Sequence, residues 1–195
     1  MYGGTFDPIH NTHLAIARAA LEQGSLDSVL FVVSANPPHK RDATYATAED
    51  RYALVEAALL DEEKLTPSRL ELDRRGPSYM ADTLDAVHAE NPNAKLFLII
   101  GLDSLVDIPK WKAPDRILAR AHLLAVPRPG GCDIPSSLDG HYTLLKFSET
   151  DLSSTEVRAR IAAGEPCDDV LPAAVVDTIR ARGLYRECID NSARK

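Results

Sequence analysis

Twelve residues near the amino terminus, Gly3-Gly4-Thr5-Phe6-Asp7-Pro8-Ile9-His10-Asn11-Thr12-His13-Leu14, join two glycines, two histidines and the start of a helical pattern. Glycines let a backbone come close to a ligand. A helix start adds free N–H groups and the positive end of a dipole, which together suit an anion. His10 and His13 lie three apart across that turn, so both imidazoles can face one anion. Taken singly these residues make an ordinary Gly-rich turn with two surface histidines. Taken as a string they are the strongest chemical signal in the chain.

A second group is Leu152-Ser153-Ser154-Thr155-Glu156-Val157-Arg158. Ser153 and Glu156 have the spacing of a capping box, which fixes a helix start. The N–H groups of Ser154 and Thr155 would again favour an anion, with Arg158 one turn on. A third group, Asn36-Pro37-Pro38-His39-Lys40-Arg41, follows the apolar run at Val29–Ser34. A cationic loop at the carboxyl end of a strand is where open α/β sheets bind ligands, although a solvated basic loop would look the same. Asp103, just past Gly101 at the end of the Leu96–Gly101 run, could accept ribose hydroxyl bonds. Trp111 and the Pro77–Thr83 segment read equally well as packing.

Together these strings resemble the HxGH nucleotidyltransferases, and GGTFDPIH most resembles the bacterial nicotinate-nucleotide adenylyltransferases. The resemblance implies that His10 and His13 bind ATP phosphates and stabilise the transition state. It also implies that Gly3, Gly4, Thr5 and Phe6 line the nucleotide cleft with Asp103. Leu152–Arg158 is similar to the family's ISSTxxR motif, so Ser153, Ser154, Thr155 and Arg158 would grip the β- and γ-phosphates. Lys40 matches a lysine that reaches the phosphates. Tyr79, Met80, Thr83 and Trp111 fall in segments similar to PSYTxDT and GxDxxxxxxxW, which in the family hold the pyridine nucleotide, the Trp stacking on its ring. Three positions depart from the pattern: Thr12 stands in place of Gly, Leu152 in place of Ile, and Met80 in place of Thr, which removes a side-chain contact and leaves a backbone N–H. The closing Gly183-Leu184-Tyr185 also matches. Implied are ATP and nicotinate mononucleotide as substrates and Mg²⁺ held mainly by phosphates, since no protein metal-ligand spacing is readable.

These groups need a scaffold that brings them to one edge. Val29–Ser34, Leu96–Gly101 and Leu123–Pro127 read as buried parallel strands, with Leu70–Asp73 and Tyr142–Phe147 as weaker ones. Helical patterns cover His13–Gln23, Ala48–Leu60, Tyr79–Glu90, Pro114–Ala121, Ser154–Ala163 and Pro172–Arg182. Thr47 is the expected N-cap of the second and Gly183 the stop of the last. The alternation predicts an α/β, Rossmann-like fold: one domain over residues 1–195, with an open, mostly parallel sheet and helices on both faces. Only Met1 and Tyr2 precede the first glycines, whereas a strand usually runs ~5–6 residues. The expectation is a true start upstream, or a first strand shortened at a cost in stability.

Composition narrows the partners. Net charge is −7, which disfavours wrapping a nucleic-acid backbone. No apolar run reaches the ~20 residues of a membrane span, and no signal peptide is readable. Cys132, Cys167 and Cys188 are scattered and odd in number, which suits a reducing cytoplasm. A homo-oligomer is compatible with all of this. Three rival activities remain at this level. A pantetheine-phosphate adenylyltransferase would lack the GGTFDPIH, PPHK and Trp111 combination, and a cytidylyltransferase would carry RTEGISTS. A non-catalytic nucleotide sensor would have less need of His10, His13, Ser154 and Arg158 together.

Overall fold

The computed structural model describes residues 1–35, 44–127, 133–148 and 152–186. Its six strands are β1 (Tyr2–Gly4), β2 (Val29–Val33), β3 (Leu65–Ser68), β4 (Leu96–Gly101), β5 (Ala121–Val126) and β6 (Tyr142–Leu144). They form one sheet in the order β3-β2-β1-β4-β5-β6, and every pair is parallel. Chain order reverses beside β1, which makes the crevice at the carboxyl ends of β1 and β4 the place for a ligand. Side chains alternate across the sheet. Phe31 and Val33 enter one apolar core while Val32 enters the other.

Helices cover both faces. The first core receives α1 (Asn11–Gln23), α2 (Ala48–Ala58), α6 (Ser154–Ala162) and α7 (Ala173–Arg182). The second receives α3 (Met80–Glu90), α4 (Leu102–Asp107) and α5 (Pro114–Arg120). Local chemistry sets several ends. The Thr47 hydroxyl accepts the Asp50 N–H at 3.1 Å, the Ser153 hydroxyl accepts the Glu156 N–H at 3.2 Å, and Gly183 closes α7 with φ 65°, a left-handed value natural to glycine.

Three elements differ from expectation. Leu70–Asp73 forms turns, and the strand is Leu65–Ser68 just before it. Pro67 disguises that strand, but β3 is an edge strand, where a missing N–H is tolerated. Tyr142–Phe147 shortens to three residues. The chain leaving β4 turns at once into α4, with Gly101 as its N-cap.

The loop after β1 is held from within. The buried Asp7 carboxylate accepts the N–H groups of Tyr45 and Ala46 at 2.8 and 3.2 Å and the Tyr185 hydroxyl at 2.8 Å. Beside it, Arg51 is 1% exposed and donates to the Thr5 carbonyl at 2.7 Å. Burial lowers the Arg51 pKa, and the negative charge of Asp7 opposes that shift. Removing one partner of such a network strands the others without water. Asp7→Ala should therefore cost about 3 kcal/mol or more, read in a thermal melt as a Tm lower by roughly 6–12 °C. A Tm within about 2 °C of wild type would show that the loop is fixed elsewhere.

Candidate active site

The glycines of β1 face opposite sides of the sheet. A side-chain carbon at Gly4 would fall 2.7 Å from the Phe6 ring, and one at Gly3 would fall 3.3 Å from the Met80 methyl group. Neither position has room for more. Phe6 takes a left-handed φ of 49°, which turns its ring back under the loop. There it meets Tyr2, His13 and Phe31 with ring centres 5.5, 5.2 and 5.5 Å away. This corrects the expectation that Phe6 lines the nucleotide cleft: at 3% exposure, its ring supports the histidines from beneath. The half-buried Thr5 follows Gly4, its carbonyl taken by Arg51.

His10 is the N-cap residue of α1, and the two imidazoles lie against each other with centres 3.8 Å apart and planes tilted by 40°. The His10 N–H donates to His13 Nδ1 at 3.2 Å, while the His13 N–H donates to the His10 carbonyl at 2.9 Å. With Nδ1 used as an acceptor, a neutral His13 carries its proton on Nε2 and presents a donor. His10 Nδ1 is buried without a partner among the described residues. An unpaired acceptor costs less than an unpaired N–H, so His10 too is best satisfied with its proton on Nε2. Burial lowers the His10 pKa to about 4, which leaves the ring neutral at pH 7.

The Leu152–Arg158 segment is docked on the loop after β1. Ser154 Oγ donates to the Pro8 carbonyl at 3.0 Å. Arg158 donates to the Asp7 carbonyl at 2.7 Å and to Thr155 Oγ1 at 3.1 Å. Its guanidinium also lies 4.2 Å from the centre of the Tyr45 ring. Arginine has five N–H donors, and Nε is buried without a partner among the described residues. The start of α6, with Ser153 and Thr155 exposed, thus stands beside the start of α1. Lys40, with His39 and Arg41, lies outside the described residues.

On the other side of the sheet, α3 begins at Met80 with Tyr79 as N-cap. Met80 and the half-buried Trp111 pack against the same apolar core. Lys112 lies over the Tyr79 ring, its Nζ 3.8 Å from the centre. Asp103 is exposed in the first turn of α4. Thr83 corrects the sequence reading. It is fully buried, donates to Glu71 Oε1 at 2.8 Å, and accepts from Arg74 at 2.9 Å. A hydroxyl so enclosed cannot touch a ligand; it steadies the first turn of α3 instead. Burial raises the Glu71 pKa, and Thr83 and Arg74 oppose that rise.

The sequence reading missed Asp7, Arg51 and Glu71 as supports of this site. Asp7 and Arg51 join residues far apart in the chain, so no local pattern marks them. Among the described residues no group of three or more His, Cys, Asp or Glu is arranged to hold a metal ion.

The chain matches the cytidylyltransferase-like family over residues 1–160. It is 40% identical to a Streptomyces coelicolor protein named "Probable nicotinate-nucleotide adenylyltransferase", covering 94% of this chain and 98% of that one. A Thermus thermophilus protein of the same name is 43% identical, covering 95% and 98%. In fold, the chain is similar to the Plasmodium falciparum nicotinic acid mononucleotide adenylyltransferase solved with NaAD. That match has a TM-score of 0.76 at 19% identity and covers 94% of this chain and 95% of that one.

The buried histidine makes stability depend on pH. The folded pKa of His10 lies below its ordinary 6.5, at about 4, so the unfolded chain binds more protons between those values. Stability is therefore full above about pH 6.5 and lost as pH falls towards 4. Between pH 7 and pH 5 the His10 contribution is about 2 kcal/mol. In urea unfolding, His10→Gln should flatten the wild-type decline over that interval. Parallel curves for the two proteins would contradict it.

Proposed function

This chain belongs to the cytidylyltransferase-like family and, within it, to the nicotinate-nucleotide adenylyltransferases, and we propose that it joins ATP and nicotinate mononucleotide into deamido-NAD, releasing pyrophosphate. The observation that carries this reading is the close His10–His13 pair at the start of α1, with the start of α6 tied to the same loop by Ser154 and Arg158. Two helix N-termini and two imidazole donors converge there, a set of groups suited to a triphosphate.

A phosphate oxygen of the mononucleotide attacks the α-phosphorus in line. The new P–O bond forms as the bond to the bridging oxygen breaks, and the electron pair leaves on pyrophosphate. The nucleophile is already charged, so no side chain needs to be activated. Catalysis is then alignment and the neutralising of charge on equatorial and leaving oxygens. His10 and His13 present Nε2–H to those oxygens, Arg158 and the α6 N–H groups hold the outer phosphates, and Lys40 adds a cation. The donors described here are cationic or neutral N–H groups, which suit phosphate rather than a cation, so Mg²⁺ would be held mainly by phosphate oxygens and water. Mg²⁺ supplies further charge neutralisation when bound.

The acceptor lies across β1, where Trp111 stacks on its ring and the first N–H groups of α3, near Met80, meet its carboxylate. The site is that of a soluble nucleotide enzyme of the cytoplasm. Among the described residues no helix is long and apolar enough to cross a membrane.

His13→Ala removes one preorganised donor and should lower kcat a hundred- to a thousandfold, with a far smaller change in ATP affinity. Near wild-type turnover would dismiss the role given to the first motif. For the acceptor, kcat/KM at saturating ATP should favour the nicotinate over the nicotinamide mononucleotide by ~10⁴ or more, because an amide NH₂ would face N–H donors in a closed pocket. Trp111→Ala should weaken both acceptors and cost more than Met80→Ala, since the contact at residue 80 is main-chain. Equal use of the two acceptors would sink the nicotinate assignment and leave adenylyl transfer standing.

A further inference from the structure

Met80 stands where a hydroxyl would have helped to hold the acceptor, yet the wall beside it carries a charge that the reading above leaves unused. Lys112 follows the half-buried Trp111 directly, and its Nζ is held 3.8 Å from the centre of the Tyr79 ring. Tyr79 is the N-cap residue of α3, so this ammonium lies against the ring of the residue that opens the helix. Lys112 forms no ion pair among the described residues, whereas nearby Lys110 is paired with Asp107 and Arg116 with Asp82 and Asp85.

Two features show that the placement is built. Ala113, next in the chain, adopts a left-handed φ of 55° and ψ of 60° as the N-cap of α5. A non-glycine residue there costs about 1 kcal/mol or more, a strain found where a neighbouring group must be held in place. The α3 start also holds unspent donors. The Tyr79 carbonyl receives the Asp82 and Thr83 N–H groups, but Tyr79 makes no side-chain cap. The Ser78 hydroxyl, 92% buried by residue, has no partner among the described residues. Helix dipole and lone ammonium both favour a negative group at this one turn.

Resting on the proposed function, we infer that Lys112 is a specificity-determining residue whose ammonium pairs with the ring carboxylate of the acceptor. An ammonium separates a carboxylate from a carboxamide by charge, which backbone N–H groups do only in part. The ring of Tyr79 positions the ammonium before the acceptor arrives, so little ordering is needed on binding.

The test is kcat/KM for nicotinate and nicotinamide mononucleotides at saturating ATP, for wild type, Lys112→Gln and Lys112→Arg. A charge-assisted contact of this kind carries about tenfold in rate constant. Lys112→Gln should lower the value for the nicotinate form about tenfold and leave the amide value within about twofold. Lys112→Arg should restore most of the loss. Equal losses on both acceptors, or no loss on either, would overturn the role of Lys112 while adenylyl transfer by the wild type still stood. A wild type inactive with both acceptors would overturn the functional reading and this inference with it.

Discussion

One buried carboxylate organises the phosphate-binding face. Asp7 takes hydrogen bonds from two backbone N–H groups and from the Tyr185 hydroxyl, and its own carbonyl receives Arg158. Through these bonds the loop after β1, the approach to α2, the start of α6 and the chain beyond α7 share one anchor. A carboxylate removed from water is costly unless each lone pair is used. Here the cost is offset by three donors and by Arg51, which is even more buried and braces Thr5 on the same loop. The same desolvation strengthens every bond in the cluster, so the loop that presents His10 and His13 is fixed before any ligand arrives. Preorganised donors of that kind need no rearrangement at the moment of reaction.

The histidine pair shows how burial and chemistry oppose each other. With centres 3.8 Å apart, two charged rings would repel, and burial lowers the His10 pKa to about 4, which keeps one of them neutral. A neutral ring still donates one hydrogen bond, and the backbone contact to His13 Nδ1 decides which nitrogen does so. Phe6 holds the second ring in place by an edge contact. A polyphosphate beside the pair pulls in the opposite direction, since a nearby negative charge favours the protonated imidazole.

Much of this was legible in the residues, and the remainder was hidden for identifiable reasons. Elements marked by local chemistry read correctly: Thr47 and Ser153 as caps, Gly183 as a stop, Leu96–Gly101 as a buried strand. Strand β3 was missed because Pro67 argues against a strand unless it lies at an edge, and edge position belongs to topology. The motifs around Phe6 and Thr83 suggest ligand contacts for both. Only the fold reveals that one is turned under the loop and the other enclosed by Glu71 and Arg74. Asp7 and Tyr185 meet across 178 positions, a pairing that no spacing rule can supply.

The two glycines of β1 show why a single crevice can hold two different substrates. Successive residues of a strand face opposite sides, so Gly4 abuts Phe6 and the core beneath α1, while Gly3 abuts Met80 and the core beneath α3. Helices α1 and α6 therefore pack on one face of the sheet and α3 on the other, yet their N-termini reach the same carboxyl edge. A side-chain carbon at Gly4 would press on the Phe6 ring at 2.7 Å, whereas one at Gly3 would need the flexible end of Met80 to give by a few tenths of an ångström. The lack of side chains at Gly3 and Gly4 thus lets Phe6 and Met80 close on β1 from its two faces.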